Sequence, residues 1–231
     1  MLRVNTPEIL DSDACPPDEV EASLRDISRI NRWFGGVSTT RQLIERITTA
    51  TGRKTFSVLE VAAGFGEVSK IAGKQLGRKG IMLEVTDLDR VQTHLLRGNR
   101  TVVADALALP FHDNCFDLVS CSLFAHHLDP AELQQFTEEA LRVSRCAVLI
   151  NDLVRHPLHV AAVYAGFPLM RSYVSRVDGL ASVRRAYIPD EMRQILSGTK
   201  AAERIDISLH FLFRMGVIAW KNNDGARGRK S

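Results

Sequence analysis

Apolar residues recur first at helical spacing and then in short runs. Val20, Leu24, Ile27 and Ile30 fall four, three and three residues apart, which makes one face of a helix. Gly35 and Gly36 interrupt it after Trp33 and Phe34, and Leu43, Ile44 and Ile47 mark a second helix. A helical cap over 19–50 therefore precedes the first strand. From residue 56 the pattern alternates. FSVLEV at 56–61, IMLEVT at 81–86, TVVA at 101–104, FDLVSCS at 116–122 and CAVLI at 146–150 read as strands. Helical spacing separates them: Val68, Ile71, Ala72 and Leu76 closing at Gly77, then Leu133, Phe136, Ala140 and Leu141. Asp129, Pro130 and Glu132 stand where the N-cap, N1 and N3 residues of that last helix belong. Strands alternating with helices predict an α/β, doubly wound, mostly parallel sheet. After Asp152 the pattern changes to a small helical insertion over 153–188. A helix opening at Pro189 follows, then two tightly joined strands near 205–209 and 211–220. No apolar run approaches the roughly 18–20 residues of a membrane span.

Composition narrows this picture. A chain of 231 residues with 45% hydrophobic and 25% charged positions suits one domain and excludes wholesale disorder. The net charge of +3 is unevenly spread. Residues 1–23 carry −5, residues 221–231 carry +3, and 153–189 carry +4 through Arg155, Arg171, Arg176, Arg184 and Arg185 against Asp178. Residues 1–18 thus read as a flexible acidic arm, 19–221 as a single domain and 222–231 as a disordered basic tail. The N-terminus has no basic start followed by an apolar stretch, and the four cysteines form no CxxC pair. A cytoplasmic protein with reduced thiols is expected, without a disulfide framework.

The segment VLEVAAGFG at 58–66 joins a strand to a helix through a glycine turn, a geometry that brings backbone close to a nucleotide-like ligand. Glu60 lies four residues before Gly64. A carboxylate there repels a pyrophosphate but suits a ligand bearing an ammonium group. Asp87 follows Gly66 by 21 residues, where an acid hydrogen-bonds ribose hydroxyls in doubly wound sites. There is no GxxxxGK[ST], which excludes a P-loop. In this order, VLEVAAGFG, then VTDL at 85–88, VADA at 103–106 with LPF at 109–111, and FDLV at 116–119 resemble the class I S-adenosylmethionine (SAM)-dependent methyltransferases. The resemblance covers about 56–152. It implies a seven-stranded Rossmann-like sheet, SAM as methyl donor, and donor contacts from Glu60, Ala62, Gly64, Gly66, Asp87, Leu88, Asp105, Ala106 and Ser122. Ala62 departs from the glycine many members carry.

Methyl transfer needs a nucleophile held in line and, for a hydroxyl, a base. His126 and His127 follow the fourth strand and Asp152 the fifth, at the carboxyl edge of the sheet. An imidazole oriented by a carboxylate makes a general base near neutral pH; both histidines could instead cap the next helix. No spacing specific to a metal supports a metal site. Residues 177–189, with Asp152 to Arg155, are similar to a bacterial subgroup acting on phenolic, quinone-like or polyketide-derived molecules. By their chemistry Arg155, Arg184, Arg185 and Tyr187 could contact the acceptor, with Trp33 and Phe34 as a lid; a solvated basic face for the arginines and ordinary core for the aromatics are the alternatives. The expected activity is O-methylation, or C-methylation, of a small organic acceptor by a monomer or homodimer. An RNA methyltransferase, disfavoured by the missing NPPY-type tetrapeptide, a nicotinamide-dependent oxidoreductase and a non-catalytic partner subunit are the competing readings.

Overall fold

Every apolar run forms a strand in the computed structural model, which describes residues 1–12, 15–94 and 100–222. These are β1 (Thr55–Val61), β2 (Met82–Asp89), β3 (Thr101–Val103), β4 (Phe116–Ser122), β5 (Ser144–Leu153), β6 (Ala202–His210) and β7 (Arg214–Lys221). They make one seven-stranded sheet in the order β3-β2-β1-β4-β5-β7-β6. The pairings among β1 to β5 are parallel, while β7 runs antiparallel to both β5 and β6. The sheet is thus mixed at one edge, because the tight β6–β7 connection can only reverse the chain.

The helices are α1 (Pro17–Trp33), α2 (Gly36–Thr51), α3 (Glu67–Gly77), α4 (Pro130–Val143), α5 (Pro157–Gly166), α6 (Tyr173–Arg185) and α7 (Pro189–Leu196). The start of α4 follows its sequence signature: Asp129 accepts bonds from the amides of Ala131 and Glu132, Pro130 occupies N1, and the Glu132 carboxylate accepts the Asp129 amide at 2.8 Å. Two apolar clusters sandwich the sheet. Leu133, Phe136 and Leu141 of α4 pack with Val119 and Ile150, and Leu43, Ile44 and Ile47 of α2 pack with Phe56, Val58 and Leu149. The expected cap over 19–50 therefore divides. Helix α2 belongs to the sheet sandwich, while α1 lies over the carboxyl edge with α5 and α6. The apolar stripe of α1, Leu24, Ile27 and Ile30, is only half-buried because it faces cavities rather than core.

The N-terminal segment, expected to be a flexible arm, is tied down across that same edge. The Val4 amide donates to Arg184 O (3.1 Å), Arg3 donates to Arg185 O (2.6 Å) and Leu128 O (3.0 Å), and the Asp178 carboxylate accepts the amides of Ile9 (2.8 Å) and Leu10 (3.0 Å). Its acids find the arginine-rich segment, which holds both in place: Asp11 pairs with Arg185 at 2.9 Å. Residues 223–231, most of the expected disordered tail, lie outside the described residues.

Candidate active site

Strand β1 ends in a turn built on left-handed backbone at Ala62, Gly64 and Gly66. Beyond it opens a cavity whose walls come from the carboxyl ends of β1, β2 and β4 and from α1. Glu60 enters it almost fully buried and bonded by the Ser69 hydroxyl. Burial pushes the Glu60 carboxyl up to about 7, against the opposing hydroxyl bond. At the end of β2, Asp89 accepts the Gly64 amide at 3.0 Å and lies 3.3 Å from His94 Nδ1; despite its burial these partners hold it below the usual carboxylate range. Ala62, Gly64, Leu88, Asp105, Ala106 and Ser122 also stand in the wall, with the Ser122 hydroxyl beside Glu60. One buried acid, a turn of free backbone and a second acid suit a ligand with a cationic end and a hydroxyl-rich middle, as SAM has.

A second cavity, mainly apolar, lies under α1, α5 and α6. Ile30, Trp33, Val163, Leu169 and Met170 line it, and Trp33 is largely exposed at its rim. The two cavities share Leu10, Ile27, Leu123 and His127. Leu123 reaches this junction in left-handed backbone (φ 56°), its amide anchored on Asn151 O at 2.9 Å. A non-glycine residue held there is a strained position of the kind that collects at functional sites.

A cluster of imidazoles and carboxylates closes the junction. The turn Ala125–His127 presents both histidines. His126 is 2% exposed; its Nδ1 lies 2.7 Å from Asp152 Oδ1, its amide donates to Asp152 Oδ2 at 2.9 Å, and its Nε2 lies 3.4 Å from Glu8 Oε1. Burial alone would lower the His126 imidazolium, but the Asp152 and Glu8 carboxylates outweigh it and raise it to about 10. Asp152, though buried, is held ionised by His126, and Glu8 likewise by His126 and His127. His127 is more open, with Nδ1 2.9 Å from Asp11 Oδ1 and Nε2 3.7 Å from Glu8 Oε2.

The structure unites His126, His127 and Asp152 as the sequence suggested, but clamps His126 between two acids, which makes it a poor base at neutral pH. It separates other expected residues. Asp87 is buried behind the turn against Lys70 and does not line the donor cavity. Gly66 is also off the wall; its missing Cβ makes room for Asp87. Asp89, two residues on along the same face of β2, reaches the cavity instead, because only the strand's end meets it. Arg155 is buried in a pair with Glu191 (2.6 Å), Tyr187 donates its hydroxyl to Leu128 O (2.8 Å), and Arg184 points to solvent, so none lines the acceptor cavity. Its buried cation is Arg214, whose Nη2 donates to Asn31 at 2.8 Å and whose Nη1 has no hydrogen-bond partner among the described residues. Glu8, Asp11, Asp89, Leu123 and Arg214 are the site residues that the sequence did not reveal. The pair of acids two apart at 87 and 89 was the one available signal.

Comparison with known proteins agrees with this geometry. Residues 59–147 match a family model described as a methyltransferase domain. No curated protein matches the chain. Among solved structures, a SAM-dependent methyltransferase from Aquifex aeolicus superposes with a TM-score of 0.59 at 17% identity over 90% of this chain and 100% of its own. A putative SAM-dependent methyltransferase from Methanococcus maripaludis gives 0.59 at 13% over 91% and 96%. The plantazolicin methyltransferase, solved with a substrate analogue and S-adenosylhomocysteine (SAH), gives 0.60 at 14% over 89% and 87%.

Proposed function

We propose that the chain is a class I SAM-dependent methyltransferase, on its methyltransferase-domain match and its fold, and that it methylates a hydroxyl of a small, largely apolar organic acceptor of phenolic, quinone-like or polyketide type. The observation that carries this reading is the meeting of two unlike cavities at Leu10, Ile27, Leu123 and His127. Glu60 and Asp89 hold the amino-acid and ribose parts of the donor on one side. The apolar walls of the other side receive a flat organic skeleton, and the imidazole–carboxylate cluster is the polar end against which its hydroxyl orients. The unpartnered Nη1 of Arg214 favours an acceptor that also carries an anionic or carbonyl oxygen.

At the junction an oxygen lone pair of the acceptor attacks the methyl carbon in line. The electron pair of the breaking C–S bond stays on sulfur, leaving neutral SAH. The hydroxyl proton goes to the cluster at His127, which Asp11 orients through Nδ1. His126 holds Asp152 and Glu8 in register and acts as a positioning residue. The same pocket supports C-methylation of an electron-rich ring, where the cluster removes the phenolic proton. A nucleic-acid acceptor fits less well, since a mainly apolar cavity offers no basic groove for a phosphate backbone.

The test incubates the protein with methyl-labelled SAM and fractionated small-molecule extract, then with bulk RNA, and follows the label by mass spectrometry. Label in a phenolic or polyketide fraction is the expected result. Label only in RNA overturns the acceptor class.

A further inference from the structure

His126, His127 and Glu8 bring three ligand-type side chains together from distant parts of the chain, with donor atoms all within 4.8 Å of one another. Ligands about 2.0–2.2 Å from a zinc ion sit roughly 3–3.5 Å apart. Here the two imidazole-to-carboxylate separations are 3.4 and 3.7 Å, so a small inward movement closes them around an ion. The other nitrogen of each ring is already engaged. Nδ1 of His126 lies 2.7 Å from Asp152, and Nδ1 of His127 lies 2.9 Å from Asp11. Carboxylates behind histidines in this way are typical of metal-binding histidines, and a cation that displaces the Nε2 proton of the His126 imidazolium would find that nitrogen already turned toward Glu8. Glu8 is held too: the Ser182 hydroxyl donates to Oε1 at 2.9 Å, leaving Oε2 toward His127.

A second observation points to a ligand. His126 Nε2 is buried and meets Glu8 Oε1 at 3.4 Å without an aligned hydrogen bond, so a cation between the two would improve on the contact it now makes. Arg185, 3.7 Å from Glu8 and 2.9 Å from Asp11, balances part of the acidic charge when no cation is bound.

We propose that Glu8, His126 and His127 form a three-ligand site for a zinc-like divalent cation, open toward the apolar cavity. Two imidazoles and one carboxylate with a free position is a donor set of catalytic rather than structural metal sites. The site itself is independent of the acceptor reading; its role deepens that reading. An acceptor hydroxyl at the free position becomes acidic enough to lose its proton to water before transfer, as metal-bound water ionises near pH 7. The oxygen lone pair then takes the methyl group and the C–S pair stays on sulfur. His127 is in that case a ligand, and the proton is not handed to it.

The test uses the full chain, stripped of metal with a chelator and titrated with Co2+ in the absence of SAM, followed by visible absorption and by displacement with Zn2+. One saturable equivalent is expected. Glu8→Gln and His127→Ala should each weaken it at least about tenfold, and Asp152→Asn by about 10–100-fold. SAH-dependent thermal shift on every sample reports whether the fold and donor cavity are intact. Wild-type protein that binds SAH but shows no saturable Co2+ band overturns the proposal. So does Co2+ binding that is unchanged in E8Q and H127A, which would place the metal elsewhere, for example on exposed Cys115. Co2+ binding as expected without any SAH binding would leave the cation site standing and remove the methyl-transfer reading.

Discussion

Single residues shape the proposed donor site, and Glu60 is the most exacting of them. Burial raises its carboxyl to about 7, so in the ligand-free protein it is neutral in mild acid. A raised acid contributes its stability below the unfolded value near 4.5 and loses it as pH rises through about 7. An ammonium-bearing ligand reverses the balance, because it needs the ionised form. SAH affinity should therefore rise from pH 6 to about 7.5 with proton release. Calorimetry in two buffers of different ionisation enthalpy measures that proton, and Glu60→Gln should abolish both the release and the slope. The acids on β2 divide cleanly. Asp89→Ala should cost at least tenfold in SAH affinity. Asp87→Ala, which removes a buried carboxylate paired with the exposed Lys70, should lower thermal stability while affecting SAH binding less. Ala62 holds φ 52° in the turn. Left-handed alanine costs about 1–2 kcal/mol, and glycine loses about 0.5–1 kcal/mol more entropy on folding. Ala62→Gly should thus stabilise by about 0.5–1 kcal/mol, a rise of about 1–4 °C in a melting scan.

At the level of elements, the N-terminal segment decides whether the two cavities are closed. Asp178 of α6 holds the amides of Ile9 and Leu10, and so positions Glu8 and Asp11. Hydrogen bonds to a charged group contribute about 1.5–3 kcal/mol each. Asp178→Ala should lower amide protection over residues 4–12 by about 10–100-fold in hydrogen exchange, with β4 and β5 unchanged. Equal loss across the sheet would mean that Asp178 serves the core. The elements were largely legible in the chain. Period-two and apolar runs located every strand, and the capping signature at Asp129 located α4, because those signals depend on near neighbours. The role of α1 was not legible, since an apolar stripe looks the same whether it meets a core or a cavity. The first twelve residues were misread for a related reason: acids without local partners resemble a solvated arm, and their partners lie more than a hundred residues away in α6 and the Ala125–His127 turn.

For the molecule as a whole, the site was legible in kind but not in detail. Four ordered motifs pointed to the donor cavity, and His126, His127 and Asp152 to the junction, because all sit where strands end. What the sequence hid was partnership: Arg155 and Arg185 looked free, yet both are buried in ion pairs, so the basic surplus of 153–189 mostly holds the cap together. That assignment of charge changes what ligands should do to the fold. The donor cavity joins β1, β2 and β4 to α1 and to Leu10 of the N-terminal segment. A ligand filling it bridges the sheet and the cap, and any molecule that binds only the folded state stabilises it by mass action. At 100 times its dissociation constant SAH should add about 2.7 kcal/mol. For a domain of this size that is a rise of about 5–10 °C in the melting temperature. The rise should grow with the logarithm of SAH concentration and fall to about half or less in Asp89→Ala at the same concentration. The transition should stay single, because cap and sheet share the ligand. A biphasic melt in which only the lower step moves would instead show that the cap folds independently of the sheet.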